Sequence, residues 1–253
     1  MTFTIRTLVE ADTNALDHLL QTYTRQYPPR ICMPAQFYLS PYFDGGQKIA
    51  CAFDGNGRLV GYAPYFAQGE HAWVEVMALP GLDRHGEVRS ALWAWLVEQA
   101  MQGSQQQLLF QYYSNEDLAI RFVEQQGAQR RYSIFAMRRD LSLAIPTLSM
   151  PAGFSLRRWR LESEAEQRQY LEGRNACFPE APTSLEEWLY FASSPYWEQG
   201  INMAAFAGEH LAASVLVYWQ SGSPTGSTEY VFTLPGSAAT GCRGCCWPRR
   251  WVT

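Results

Sequence analysis

The sequence predicts a mixed α/β fold (α+β in its segregation) built on a strongly bent sheet flanked by helices, in two tandem copies, the second incomplete. Three observations carry this reading. Short β-branched or aromatic runs alternate with amphipathic stretches, a glycine-rich turn separates two of those runs, and the chain repeats itself. Phe3-Thr-Ile-Arg6 returns as Phe154-Ser-Leu-Arg157, Ala52-Phe-Asp-Gly55 as Ala205-Phe-Ala-Gly208, and Val76-Met-Ala-Leu-Pro-Gly81 as Val231-Phe-Thr-Leu-Pro-Gly236. Offsets of 151, 153 and 155 residues imply two homologous domains, 1–144 and 153–236, joined by a linker at 145–152 and followed by a tail at 237–253.

In the first copy, residues 3–8 read as a strand and 11–25 as a helix opened by Asp12 and Thr13, both good N-cap types. Lys48–Phe53 and Arg58–Tyr65 flank Asp54-Gly-Asn-Gly57, whose residues accept positive φ, so a hairpin is expected. His71–Leu79 reads as one strand, Glu87–Ala100 as a helix and Gln107–Tyr112 as a strand. Glu116–Gln126 is a helix with Gly127 as its C-cap, before a last strand near 132–138. The second copy repeats the plan with a strand at 154–160, helices near 162–174 and 184–193, and strands at 201–206, 211–219 and 228–234.

The stretch between Ala78 and Ala128 carries the chemistry. Ala78-Leu-Pro80 is followed by Gly86 at the mouth of a helix, and later by Asn115-x3-Ala119-x2-Phe122-x4-Gly127. This order resembles the GNAT superfamily of acetyl-CoA-dependent N-acetyltransferases, whose signatures are Val-x-Pro-x5-Gly-x-Gly/Ala and Asn-x3-Ala-x2-Phe/Leu-Tyr-x3-Gly-Phe. The sequence departs from them at Val88, where a small residue is usual, at Val123, where the Tyr is usual, and at Ala128.

The resemblance implies acyl transfer from acetyl-CoA to a primary amine, with no metal. The diphosphate of the donor needs polar groups in place of water, which the free N–H groups of a helix start supply. The expected cradle is Arg84, His85, Gly86, Glu87, Val88, Arg89 and Ser90, with Asn115 beside the pantetheine arm. A backbone N–H near Met77, Ala78 and Leu79 would polarise the thioester carbonyl. Glu75 is the candidate base for the incoming ammonium, and Tyr112 or Tyr113 would protonate the departing thiolate in place of the Tyr that Val123 replaces. These departures mark the first domain as the degenerate half of a pair laid out as in mycothiol synthase, where one domain transfers and its partner is largely structural. Tyr38, Tyr42, Phe43 and Trp188 fall in the helical regions that line the acceptor side.

After Gly236 the repeat stops, and Cys242, Cys245 and Cys246 crowd a stretch with three Arg and no acid. When each codon's third base is read with the next codon's first two, Cys245-Cys246-Trp247-Pro248 is forced to give Leu-Leu-Ala. From Ser237 the same frame permits Arg-Arg-His-Gly, with its Gly six places after Pro235, as Gly86 follows Pro80. The tail is therefore expected to be out of frame, which would leave the second domain without its cofactor loop and the chain inactive as truncated.

Composition bounds the rest. At 253 residues with 17% charged and 14% aromatic side chains the chain is globular. A net charge of −4 gives no basic footprint, so a nucleic-acid partner is not expected and an aminoacyl transferase using a tRNA donor is disfavoured. No apolar run reaches the ~20 residues of a membrane span and the N-terminus lacks a signal-peptide layout, so a cytoplasmic protein without a membrane partner is expected. Cys32, Cys51 and Cys177 are scattered in apolar or mixed surroundings and read as reduced thiols. A non-catalytic acyl-CoA-binding or scaffold protein is the alternative reading. The acceptor, a small-molecule or peptide amine, is not legible.

Overall fold

The structure is a computed structural model that describes residues 3–28, 30, 32–79, 81–83, 86–131, 133, 140, 142–144, 149–179, 182–193, 197, 200–219 and 226–238. The chain divides into two compact units, Met1–Arg131 and Tyr132–Thr253. The strand expected near 132–138, residues 145–148 of the expected linker and residues 239–253 of the tail lie outside the described residues or nearly so.

In the first unit β1 (Thr4–Thr7), β2 (Ile49–Phe53), β3 (Leu59–Gln68), β4 (His71–Val74) and β6 (Gln107–Phe110) lie side by side in that order, and β5 (Met77–Ala78) also pairs with β3. All pairs are antiparallel except β4 with β6, which makes the sheet mixed. The β2–β3 hairpin turns where expected, and Asp54 Oδ1 accepts the N–H groups of Asn56 and Arg58 to close it. Alternation along the strands separates two cores. Ile49, Cys51, Tyr62, Met77 and Leu79 meet α1 (Thr13–Gln26) through Leu16, Leu19 and Tyr23. Ala50, Ala63, Val74, Val76 and Ala78 meet Val88, Leu92 and Leu96 of α2 (Glu87–Gln102) and Phe122 of α3 (Asp117–Gln125). Each large apolar side chain so buried contributes about 1.5–3 kcal/mol. Gly61 lets α2 come this close, because a Cβ there would stand 2.8 Å from both the Met77 carbonyl oxygen and Val88 Cγ1. Burial also pushes the Cys51 thiol up to about 12, so it stays protonated.

Two expectations change in the first unit. Asp12 stands at the N-cap of α1 but bonds no helix N–H; its carboxylate takes Arg6 and the N–H of Val9 instead. The single strand 71–79 is two, interrupted at Glu75-Val76. Tyr65 N–H points to β2, where it meets the Lys48 carbonyl, so the adjacent residue's nitrogen faces β4 and β5. That residue is Pro64, which has no N–H to give to Glu75, and the ladder lapses there without a change of register. Helix α3 ends as expected: Ala128 N–H bonds the Val123 carbonyl and Gly127 N–H that of Glu124, the paired bonds of a Schellman motif.

The second unit has a four-stranded antiparallel sheet in the order β10 (Gly226–Thr233), β9 (His210–Trp219), β8 (Ile201–Ala207), β7 (Phe154–Arg158). Helices α4 (Glu164–Cys177) and α5 (Leu185–Ala192) each start on a capping box, Ser163 with Glu166 and Ser184 with Glu187. A short turn of helix, α6 (Pro235–Ala238), follows β10. Each unit repeats within itself the same hydrogen bonds as the other. Leu8 N–H bonds Ile49 O as Trp159 N–H bonds Asn202 O, and Leu79 N–H bonds Val60 O as Leu234 N–H bonds Ala212 O. Each β2–β3 or β8–β9 register shifts by one residue beside the repeated Ala-Phe pair, and Arg6 lies over Phe53 as Arg157 lies over Phe206.

Candidate active site

The strand ahead of the loop differs between the units, and that difference sets the chemistry each can do. In the first unit Met77 and Leu79 pair with β3, whereas Val76 and Ala78 turn their backbone groups to the opposite side, where β6 has diverged. There the Tyr112 hydroxyl accepts the Val76 N–H at 3.0 Å, and the Ala78 carbonyl accepts Arg89 Nη2 at 3.4 Å. Among the three residues expected to polarise a thioester, Ala78 is thus the one whose N–H points into the divergence. The ring of Tyr112 lies there too, stacked on Phe110, and burial holds its hydroxyl protonated, well above the usual phenol range.

The helix mouth is filled from within. Gly86 caps α2 with φ 76°, a conformation that favours glycine, as the loop expectation requires. The N–H groups of Val88 and Arg89 are directed at Asp83 Oδ1, at 2.8 and 3.4 Å. The other oxygen of Asp83 is ion-paired with the Arg89 guanidinium, and both side chains are almost wholly buried. A carboxylate therefore sits where the phosphates of a donor were expected. Ser90 Oγ donates to the Gly86 carbonyl, the Val88 side chain is buried in the core, and Glu87 opens the helix. Arg84 and His85 lie outside the described residues. The Asn115 amide, expected beside the pantetheine arm, donates to the Pro28 carbonyl at 2.9 Å.

On the opposite face of the sheet, Glu75 is joined to a buried polar chain. Arg30 bridges Glu75 at 2.6 Å and Glu116 at 2.9 Å; Tyr62 donates to Glu75 and shares a 3.2 Å contact with the Tyr38 hydroxyl. Glu116 also accepts the Tyr113 N–H at 2.8 Å. Burial raises the Glu116 carboxyl above its ordinary value, against the pull of Arg30 and that N–H. Neither Arg30, Glu116 nor Asp83 was singled out by sequence. Asp83 could have been found as a capping residue for the exposed N–H groups behind Gly86; the Arg30–Glu116 pair, 86 residues apart, had no local signal.

In the second unit the corresponding strand carries a true β-bulge. Glu229 pairs with Leu216 but Phe232 with Ser214, so Tyr230 and Val231 together oppose Val215, and Tyr230 adopts φ 49°. Glu75-Val76 of the first unit corresponds by the repeat to Tyr230-Val231. The residue corresponding to Asp83 is Ala238, which has no carboxylate. Among the described residues no group of His, Cys, Asp and Glu could hold a metal ion, and no helix is long and apolar enough to cross a membrane.

No protein-family model and no curated protein sequence matches the chain. Solved structures do. A GCN5-related N-acetyltransferase from Sphaerobacter thermophilus aligns over 95% of this chain and 78% of its own, with TM-score 0.61 at 18% identity. A tandem GNAT protein from the clavulanic acid biosynthesis pathway aligns over 95% of this chain and 82% of its own, with TM-score 0.64 at 16% identity. The chain has the tandem GNAT N-acetyltransferase fold.

Proposed function

We propose that this chain is an acyl-CoA-dependent N-acyltransferase in plan, with acetyl-CoA as donor, whose second unit is the half built to present the thioester and whose first unit is a sealed, structural partner. One observation carries the assignment: the bulge at Tyr230-Val231 against the closed edge at Val76, with Asp83 already in the helix mouth. A bulge frees a backbone N–H from the ladder, and a donor aimed at the developing oxyanion is worth about 3 kcal/mol. The neutral amine attacks the carbonyl carbon, the C–N bond forms, the C–S bond breaks, and the proton that the nitrogen loses goes to the departing thiolate. In the first unit the same roles would fall to the Ala78 N–H, to Glu75 as base and to Tyr112 or Tyr113 as acid. Arg30 on Glu75 and Tyr112 on Val76 oppose that use. The reading of the first unit as a non-catalytic scaffold follows from the same contacts.

The test is calorimetric titration of acetyl-CoA into this chain and into a version whose codons after Ser237 are restored to the neighbouring frame, with hydrogen exchange to locate the site. Binding by the restored protein, with protection confined to the second unit, supports the assignment. Protection across residues 86–90 overturns it, and silence from both proteins removes acyl-CoA from consideration.

A further inference from the structure

The internal repeat supplies a control for each face of the second unit's sheet. In the first unit Ala50, Ala52, Ala63, Tyr65 and Val76 lie on the face that receives Val88, Leu92 and Leu96 of α2, and all five are fully buried. Strand register and the repeat match them to Met203, Ala205, Val215, Val217 and Val231. Those residues are apolar too, yet each is only half-buried. Leu156 of β7, paired with Ala205, is 55% exposed. The opposite face is covered as in the first unit: Tyr170 of α4 packs on Phe232, and Phe206 is buried. Apolar side chains left wet forfeit their hydrophobic stabilisation, so a contiguous set of them on one face calls for a cover.

The same comparison shows what the cover is. The chain leaves the two sheets alike: Leu79 N–H bonds Val60 O and Leu82 N–H bonds Leu79 O, as Leu234 N–H bonds Ala212 O and Ser237 N–H bonds Leu234 O. In the first unit this turn leads into α2. In the second, Gly244 and Pro248 fall where α2 has Arg89 and Trp93, and a proline there removes a helix N–H and clashes with the preceding turn. The neighbouring frame replaces that proline with the Ala of its forced Leu-Leu-Ala, and both residue types favour a helix. Its second Leu stands twelve places after Pro235, as Leu92 follows Pro80. Leu92 is the fully buried centre of the contact between α2 and its sheet.

We propose that this face of the second unit is the seat of a helix of the α2 kind, apolar toward the sheet, and that the neighbouring frame after Ser237 encodes that helix. Among the described residues the seat stands half open. It presents Leu, Met, Ala and Val side chains, which match an aliphatic helix stripe and offer nothing to a charged partner. This assignment shares the neighbouring-frame reading with the proposed function but not acyl transfer, and no acyl-CoA enters its test, so the two fail separately.

The experiment is hydrogen exchange, resolved by unit, on the full chain and on the version restored to the neighbouring frame after Ser237, each with and without Met203→Asp or Val215→Asp. In the restored protein a carboxylate under the helix has no partner, so protection across β8 and β9 should fall at least about ten-fold. In the chain as written it should stay where it is, because the carboxylate meets water. Anilinonaphthalene sulfonate, a dye of exposed apolar surface, should bind the chain as written, bind less after either substitution, and lose most of that binding in the restored protein. Ala50→Asp, at the matching place under α2, should cost the first unit its protection in both proteins. A second unit that is unprotected as written, protected when restored and unprotected again with Met203→Asp supports the proposal equally. Equal effects of Met203→Asp in the two proteins, dye binding unchanged by restoration, or a first unit indifferent to Ala50→Asp would overturn it. So would a dimer of the chain as written that Met203→Asp splits, since a second copy would then be the occupant.

Discussion

The two units follow one hydrogen-bond plan and differ where chemistry would occur. In the first, the strand ahead of the loop keeps its register and lapses only because Pro64 has no N–H for Glu75; Tyr112 and Asp83 then occupy the edge and the helix mouth. In the second, an extra residue enters at Tyr230-Val231. A repeat can thus hold its backbone bonds, such as Leu79 to Val60 and Leu234 to Ala212, while the polar groups at its sites diverge completely. Side chains of the first unit have been spent on stability, and the largest expected effects of substitution lie there.

The Arg30 network gives the strongest test of that statement. Arg30→Met leaves the carboxylates of Glu116, which is fully buried, and of Glu75 without their shared cation. Breaking a buried ion pair from one side costs about 3–5 kcal/mol. A control change in the second unit, Arg168→Ala, touches a pair with Glu164 in which both side chains are mostly exposed, and it should leave the unfolding curve where it was. Urea unfolding resolved by hydrogen exchange in each unit measures both, and similar small losses for the two variants would mean that the Arg30 network contributes little.

Packing of the helix behind the loop comes next. Gly61→Ala drives a Cβ to within 2.8 Å of the Met77 carbonyl and of Val88 in the first unit, an overpacking cost of about 1–3 kcal/mol. The residue at the matching place in the second unit, Ala213, already carries a Cβ and is half-exposed, so Ala213→Val should stay within about 0.5 kcal/mol. A Gly61→Ala protein as stable as its parent would show that α2 is free to shift on its sheet.

How far the sequence reaches can be read from these same residues. The hairpin at Asp54–Gly57, the Gly127 cap and the repeat were legible because each depends on residues near one another in the chain. Pro64 was in plain view, but its effect depends on which neighbour its nitrogen faces, and that is fixed only by pairing with β2 and β4. Gly86 and its helix were expected to receive phosphate; the competing anion was Asp83, three residues away, because N–H groups at a helix start donate to any carboxylate that can reach them. Arg30 and Glu116 were beyond reach as site residues, since burial and a pairing between distant parts of the chain are properties of the packed fold.

The smallest expected difference concerns the carboxylates at the starts of α1 and α4. Asp12 is held below its ordinary value first by its bond with Arg6, and Glu166 first by the indole N–H of Trp159, with backbone N–H groups helping each. Both are carboxyls whose folded-state affinity for protons is lowered. Each therefore stabilises its unit above the unfolded carboxyl pKa of about 4, and that contribution is lost as pH falls through the folded value. Their partners differ in kind. The Arg6 side chain is 43% exposed and charged, so salt screens its hold on Asp12, whereas a neutral indole hydrogen bond is indifferent to salt. Carboxylate carbon shifts followed from pH 6 to 2 should show the Asp12 midpoint rising toward its ordinary value when sodium chloride is taken from 0.05 to about 1 M. The Glu166 midpoint should stay in place. Equal movement of the two would mean that the helix starts, common to both units, govern these carboxylates, and that the ion pair peculiar to the first unit does not.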